Sequence, residues 1–323
     1  MPYLIGTDEA GYGPNLGPLV VSATVWQVTD GVSNEDLHDR LAAVVTNKPG
    51  RPGDDGVARL AMADSKVLYA PGKGLGNLER GLLAALAAVG HCPRTWRDLF
   101  QALDPACLAT FDGIPWYAGY DRPLPIDGAD DQLGRAASIF DDGIRAAGIR
   151  LLGIRSRAVF PGQFNRLLRE HESKGAALSH VTLGLAAEVA APLAAGPISV
   201  VCDKHGGRNR YGPLLEDHFP DVFVERCGEG RQQSVYRFGP AGRRVEFCFR
   251  TKAESCLAAA LASMASKYLR ELAMGALNAF WGREVPGLKP TAGYPVDARR
   301  FKAAIADRQV ALGIPDETLW RSK

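Results

Sequence analysis

The run Ile198-Ser199-Val200-Val201-Cys202 constrains the fold more than any other stretch of the chain. It is short, almost continuously apolar and rich in β-branched residues, the pattern of a central strand buried on both faces. Around it, strand-like and helix-like segments alternate. Leu4–Thr7 and Leu19–Val28 read as two strands of an opening hairpin, joined by a turn-rich loop from Gly11 to Gly17. Ile149–Phe160 and Arg243–Arg250 read as further strands. Asn77–Val89 places Leu78, Leu82, Leu86 and Val89 on one helical face, with Asn77 as cap. Helices are also expected over Asn34–Val45, Gln132–Ala147, most of Gln163–Ala195, Ala253 to about Phe280, and Pro295–Leu312. The class is therefore α/β, a mixed central sheet flanked by helices.

Composition narrows the function. The 323 residues suggest two domains or one large domain with insertions. With 46% hydrophobic and 23% charged residues, wholesale disorder is excluded. No apolar run reaches the ~18 residues of a membrane span, so no membrane partner is expected. A net charge of +2 excludes a globally basic nucleic-acid binder but allows a local basic groove. None of the six cysteines forms a C-x-x-C pair, which points to free thiols in a reducing cytosol. The start of the chain does not read as a signal peptide, and a cytoplasmic location is expected. Residues 92–126 lose periodicity and hold five prolines with Trp96, Trp116 and Tyr117, so they read as an insertion with a structural or protein-contacting role. Lys48–Gly56 reads as a surface loop.

Four acids fall at element ends. Asp8 and Glu9 close the first strand, Asp203 closes the apolar run, and Glu254 is expected in the first turn of the long helix, where the macrodipole favours its ionised form. Carboxylates at strand ends can converge from distant parts of a sequence. Such a set suits hard divalent cations, and two ions can serve a phosphoryl displacement. The loop Gly11-Tyr12-Gly13-Pro14-Asn15-Leu16-Gly17 is not a dinucleotide fingerprint. Its third glycine comes one residue late, and Pro18 and a strand follow instead of a helix. It reads better as backbone that approaches a nucleic acid closely. Lys204, His205, Arg208 and Arg210 form one basic loop, and Arg243, Arg244, Arg250 and Lys252 flank Glu254, as a polyanionic substrate requires. His180 and His205 could act as bases, but lone histidines are more often structural.

Ile5-Gly6-Thr7-Asp8-Glu9-Ala10-Gly11-Tyr12-Gly13-Pro14, followed by Leu16-Gly17-Pro18-Leu19-Val20-Val21, resembles the opening signature of the type 2 ribonucleases H, ribonucleases HII and HIII. Ala63-Asp64-Ser65-Lys66-Val67-Leu68 looks like the family's Asp-Ser-Lys block. Val200-Val201-Cys202-Asp203 is similar to the strand that delivers a third acid. Thr251-Lys252-Ala253-Glu254-Ser255 looks like the fourth-acid block, and Gly293-Tyr294 sits where the family has a substrate-contacting tyrosine. These blocks cover about a quarter of the chain, in family order.

The resemblance implies a ribonuclease H-like fold over residues 1–270, with the 92–126 insertion, and a helical extension over 271–323. It implies cleavage of the RNA strand of RNA/DNA hybrids with two Mg²⁺ or Mn²⁺ ions held by Asp8, Glu9, Asp203 and Glu254. Substrate contacts would come from Gly11, Tyr12, Gly13, Ser65, Lys66, Lys204, Arg208, Lys252 and Tyr294. The protein is expected to act as a monomer on RNA/DNA hybrid or on ribonucleotide-containing DNA. A glutamate in the fourth place resembles HIII. Gly-Tyr-Gly stands where HII has Gly-Arg-Gly, Asp203-Lys204 where HII has Asp-Gly, and Pro295 follows the tyrosine, so the resemblance is to a divergent branch of the family. Two alternatives stay open: a catalytically silent hybrid-binding protein and a nucleotide-utilising enzyme.

Overall fold

Alternating side chains on β-rich segments bury both faces of one sheet, and helices from the intervening segments cover it. The structure, a computed structural model, describes residues 1–49, 59–70, 72–128 and 130–322, with 130–132 described by backbone alone. Seven strands form the sheet: β1 (Tyr3–Ala10), β2 (Leu19–Gln27), β3 (Arg150–Val159), β4 (Ile198–Asp203), β5 (Glu225–Glu229), β6 (Gln233–Phe238) and β7 (Val245–Arg250). Their spatial order is β3-β2-β1-β4-β7-β6-β5. β1, β4 and β7 run parallel, while β2 lies antiparallel between β1 and β3. The expected mixed sheet flanked by helices is what the structure shows, with β4 at its centre.

Among the described residues the eight longer helices are α1 (Gly76–Ala88), α2 (Trp96–Leu103), α3 (Asp130–Ala146), α4 (Pro161–His171), α5 (Lys174–Ala190), α6 (Gly212–His218), α7 (Leu257–Glu284) and α8 (Pro295–Ala311). Tyr3 and Ile5 of β1 join a core with Phe164 of α4 and Leu178 and Leu183 of α5. Leu4 of β1 faces the other side and joins Leu78 and Leu82 of α1 and the apolar residues of α7. The two-residue period of a strand divides one sequence between two cores. α7 runs through residue 270 and lies directly on β1 and β2. Thr24 Oγ1 donates to Ala258 O at 2.8 Å. A Cβ on Gly6 would stand 2.2 Å from the backbone of Ala258, so only glycine lets the helix sit there. Among the described residues, no helix is long and apolar enough to cross a membrane.

Several expectations meet the structure differently. The helix expected over Asn34–Val45 is one turn, Leu37–Arg40, after which Val45–Thr46 pairs in parallel with Leu60–Ala61. The β-branched Val44, Val45 and Thr46 favour extended chain over a fourth turn. Of the loop expected over Lys48–Gly56, residues 50–56 lie outside the described residues. The hairpin of β5 and β6 and the short helix α6 fill what reads as a polar loop after Asp203. Residues 92–126 are no separate body. Trp96 stacks on Phe111 and Tyr117, and Trp116 packs against Phe280 and Trp281 of α7, all within one core.

Candidate active site

Three parallel strands deliver the acids. Thr7 pairs with Cys202 across β1 and β4, so the next residues, Asp8 and Asp203, emerge on adjacent strands. Asp203 pairs with Arg250, the last residue of β7, and Glu254 follows four residues later. Neighbouring strands lie about 4.8 Å apart, so the C-terminal ends of β1, β4 and β7 form one narrow platform. Asp8 and Asp203 leave their strands on the face covered by α7, while Glu9 leaves on the opposite face.

Glu254 does not open the long helix. It sits in a separate 3₁₀ turn, Ala253–Ser255, before α7 begins at Leu257. Lys252, ahead of that turn, is held in the left-handed conformation (φ 59°), a strained choice for a residue with a side chain. The backbone N–H groups of Lys252 and Ala253, with that of Lys204, bond the Asp203 carboxylate. The chain turn that presents Glu254 therefore also fixes Asp203.

All four carboxyls are pushed above the usual carboxylate range. Burial raises Asp8 to about 7, with the charges of Asp203 and Glu254 adding to it against a bond from Ser263. Burial also raises Glu9, and the charges of Asp8 and Asp203 add to that. Asp203 is raised by burial against its three backbone donors, and Glu254 by burial and then the charges of Asp203 and Asp64. Each acid thus feels at least one other. Lys66 faces the group. Burial lowers its pKa, but the charges of Asp64, Glu254, Asp8 and Asp203 outweigh this and leave it raised.

α7 supplies the underside of the site. Ser266 Oγ donates to Asp8 O at 2.9 Å. Ser263 Oγ and Ser65 Oγ share a hydrogen bond at 3.0 Å. Ser65 is buried by that contact, so its hydroxyl ties the Asp-Ser-Lys turn to the helix rather than facing a substrate.

The glycine loop is hydrogen-bonded from several sides. Gly11 has φ +89°, and a Cβ there would meet Arg270 Nε at 2.5 Å. Gly293 O accepts from the backbone N–H of Asn15 at 2.8 Å and of Leu16 at 3.3 Å. That contact brings Tyr294, 56% exposed, beside the loop. Gly13 stands at the exposed tip with open space around it. The Tyr12 ring packs on the core beneath α5, and its hydroxyl lies against Gly206.

A cleft of about 440 Å³ opens between the acids and the basic loop, lined by Asp203, Lys204, Gly207, Asn209, Arg231, Thr251, Lys252 and Glu254. Lys204 lines it but does not reach out. Its ammonium donates to Gly230 O at 2.6 Å and Asn209 Oδ1 at 2.8 Å, and shares its remaining proton between Ser234 Oγ and Arg208 O, each at 3.3 Å. It fastens the loop after β4 to the β5–β6 turn. Of the second basic group only Lys252 lies at the cleft. Arg250 pairs with Glu35 at 2.7 Å, and Arg243 and Arg244 sit at the far end of β7. Arg231 and Asn209 are cleft residues that the sequence reading missed, because the hairpin that carries Arg231 was not recognised. His205 is buried on Tyr211 and Phe249 with Nδ1 bonded to Ser179 Oγ at 2.9 Å, a structural role. His180 stacks on His171 and bonds His218, away from the acids.

The donor set is right in kind for a hard cation: carboxylate oxygens only, carrying more negative charge than Lys66 offsets. Among the described residues, however, no three His, Cys, Asp or Glu side chains gather closely enough to hold a metal ion. The acids share a neighbourhood, and their side chains are not drawn onto one point. An apolar cavity of about 400 Å³ between α1 and α3 lies elsewhere and is lined by no acid among the described residues.

No family model matches the chain, and no curated protein matches it. Solved structures with a similar chain course include ribonuclease HII from Archaeoglobus fulgidus, determined as a complex with PCNA. It is 15% identical, with 99% of this chain and 94% of that chain covered and a TM-score of 0.43. Bst-RNase HIII in complex with Mn²⁺ is 17% identical, with 99% and 66% covered and a TM-score of 0.40. Ribonuclease H2 from Pyrococcus horikoshii OT3 is 15% identical, with 98% and 92% covered and a TM-score of 0.38.

Proposed function

We propose that the chain is a metal-dependent endoribonuclease that cleaves the RNA strand of RNA/DNA hybrids, a divergent relative of the type 2 ribonucleases H. The observation that carries this reading is the delivery of Asp8, Asp203 and Glu254 to the adjacent ends of three parallel strands, beside a basic cleft. The opening signature around Asp8 and Glu9 supports it.

In this reading Asp8, Glu9, Asp203 and Glu254 would hold two Mg²⁺ or Mn²⁺ ions, which if bound would make a water more acidic and stabilise the leaving oxygen. The chain's own groups place the substrate. Lys252 and Arg231 hold phosphates along the cleft, Arg208 of the loop after β4 holds one beside it, and Lys66 balances charge over the acids. The backbone of Gly11–Gly13 meets the ribose at the cut, where a 2′-hydroxyl separates RNA from DNA. Tyr294 packs on a neighbouring sugar. Water adds to phosphorus, the bond to the 3′-oxygen breaks, and the products carry a 5′-phosphate and a 3′-hydroxyl.

Asp8→Asn is expected to lower cleavage of an end-labelled hybrid by at least about 100-fold, as loss of a ligand costs more than loss of its outer partners. Hybrid affinity, read by gel shift, is expected to stay within about threefold. Undiminished cutting by that variant, or cutting by the wild type in EDTA, would overturn the assignment. A second reading, a silent hybrid binder, rests on the acids not converging on one point. It predicts wild-type binding with no cutting in Mg²⁺ or Mn²⁺.

A further inference from the structure

Two arginines lie buried beneath the glycine loop, and neither belongs to the basic cleft. Arg321 is 0% exposed and Arg270 is 2% exposed. Arg321 Nη2 donates to Gly11 O and to Pro14 O. Its guanidinium stacks over the Phe164 ring, 4.8 Å from the centroid. Arg270 Nη2 donates to Leu16 O at 3.4 Å and to Ala292 O at 3.0 Å. Arg321 has no acidic partner among the described residues, and its Nε and Nη1 find no acceptor. A cation buried this way is costly, so it persists where something else fixes it. What fixes it is a short strand-like clasp. Leu16 bridges antiparallel to Trp320, Arg321 N donates to Asn15 O at 2.8 Å, and Asn15 Nδ2 donates to Arg321 O at 2.9 Å. Asn165 of α4 holds the same segment through Trp320 O and the N–H of Ser322.

Peptide planarity turns these contacts into a statement about the loop. In a trans peptide the N–H points opposite to the C=O of the preceding residue. Pro14 O faces Arg321, and the N–H of Asn15 points the other way, to Gly293 O at 2.8 Å. Gly11 O faces Arg321 as well, so the N–H of Tyr12 points away from the arginine, toward the outer side of the loop. We propose that Arg321 is a positioning residue that aims the Tyr12 amide, and with it the glycine loop, at the sugar of the substrate. The role of that sugar rests on the nuclease reading above. The aim of the loop does not.

The test uses the full chain with Arg321→Ala, Arg321→Gln and Arg321→Lys, with Arg299→Ala on the exposed face of α8 as the control. Hydrogen exchange of the peptide spanning residues 11–17 is read without substrate. The expected result is at least about tenfold faster exchange there in the alanine and glutamine variants, with exchange in β1, β4 and β7 unchanged. Arg321→Lys keeps one charged donor and is expected to fall between. In cleavage, kcat is expected to fall about 10-fold or more while KM for the hybrid stays within about twofold, and millimolar guanidinium ion should restore part of the alanine variant's rate. Unchanged exchange over 11–17, or an equal rise across the whole sheet, overturns the proposal. If the alanine variant does not fold, the glutamine and lysine variants carry the same readout. If the wild type cuts no hybrid, the nuclease reading fails alone, and exchange still decides whether Arg321 sets the loop.

Discussion

Two buried titratable side chains pull the acid stability of this protein in opposite directions. Asp8 is raised to about 7 by burial, so between about pH 4 and 7 the folded chain holds a proton that the unfolded chain has released. Without metal, its contribution to stability falls as pH rises through that window and stays flat above it. Asp8→Asn is expected to raise the melting temperature in EDTA at pH 8 by several degrees and to leave it nearly unchanged at pH 4. His205 does the reverse. Burial, and then the charge of Arg208, push it down to about 3. The unfolded chain therefore binds a proton below about pH 6.5 that the folded chain refuses, and stability is lost as pH falls from 6.5 toward 3. Melting curves of His205→Gln are expected to flatten in that range, and a slope like the wild type's would show that the histidine does not carry it. The strand-end positions of Asp8, Glu9 and Asp203 were legible in the sequence, whereas Glu254, read as opening the long helix, falls in a separate turn before it. The engagement of Lys204 with four acceptors was not legible, because a lysine in a basic loop reads the same whether its ammonium points out or in.

The strands and helices were most legible where period and length agreed. Leu78, Leu82 and Leu86 foretold α1 within a residue at each end, and the apolar run foretold β4. The β5–β6 hairpin escaped although Gln233–Phe238 alternates between exposed and buried along most of its length. Its six residues lie between a Gly-Arg-Gln turn and a glycine, and nothing in the pattern says that a sheet edge waits beside them. Glu254 shows the other limit. Its distance from the helix start depends on the left-handed turn at Lys252, which no propensity announces. The contact of α7 with β1 is testable at this scale. Gly6→Ala puts a methyl 2.2 Å from the backbone of Ala258. Overpacking of this kind is expected to cost about 3 kcal/mol in denaturant unfolding. The strain should also reach Asp8 through Ser263 and Ser266, so under the proposed metal-dependent function the variant is expected to bind Mn²⁺ more weakly than the wild type, as read by calorimetric titration.

Across the whole molecule, Glu79 of α1 ties the end of the insertion to α7. Its buried carboxylate accepts the Tyr268 hydroxyl at 2.6 Å and the backbone N–H groups of Ile126, Asp127 and Gly128 at 2.5, 2.7 and 2.9 Å. Glu79→Ala is expected to lower unfolding free energy by at least about 4 kcal/mol, since it orphans four donors at about 1–3 kcal/mol each. The clasp on the glycine loop spans further, with Asn15 and Arg321 separated by 306 positions. The residue that holds the carbonyls of Gly11 and Pro14 thus comes from the opposite end of the sequence. Asp8, Asp203 and Glu254 all precede it, so during synthesis the glycine loop waits for the codon of Arg321 before its clasp can close.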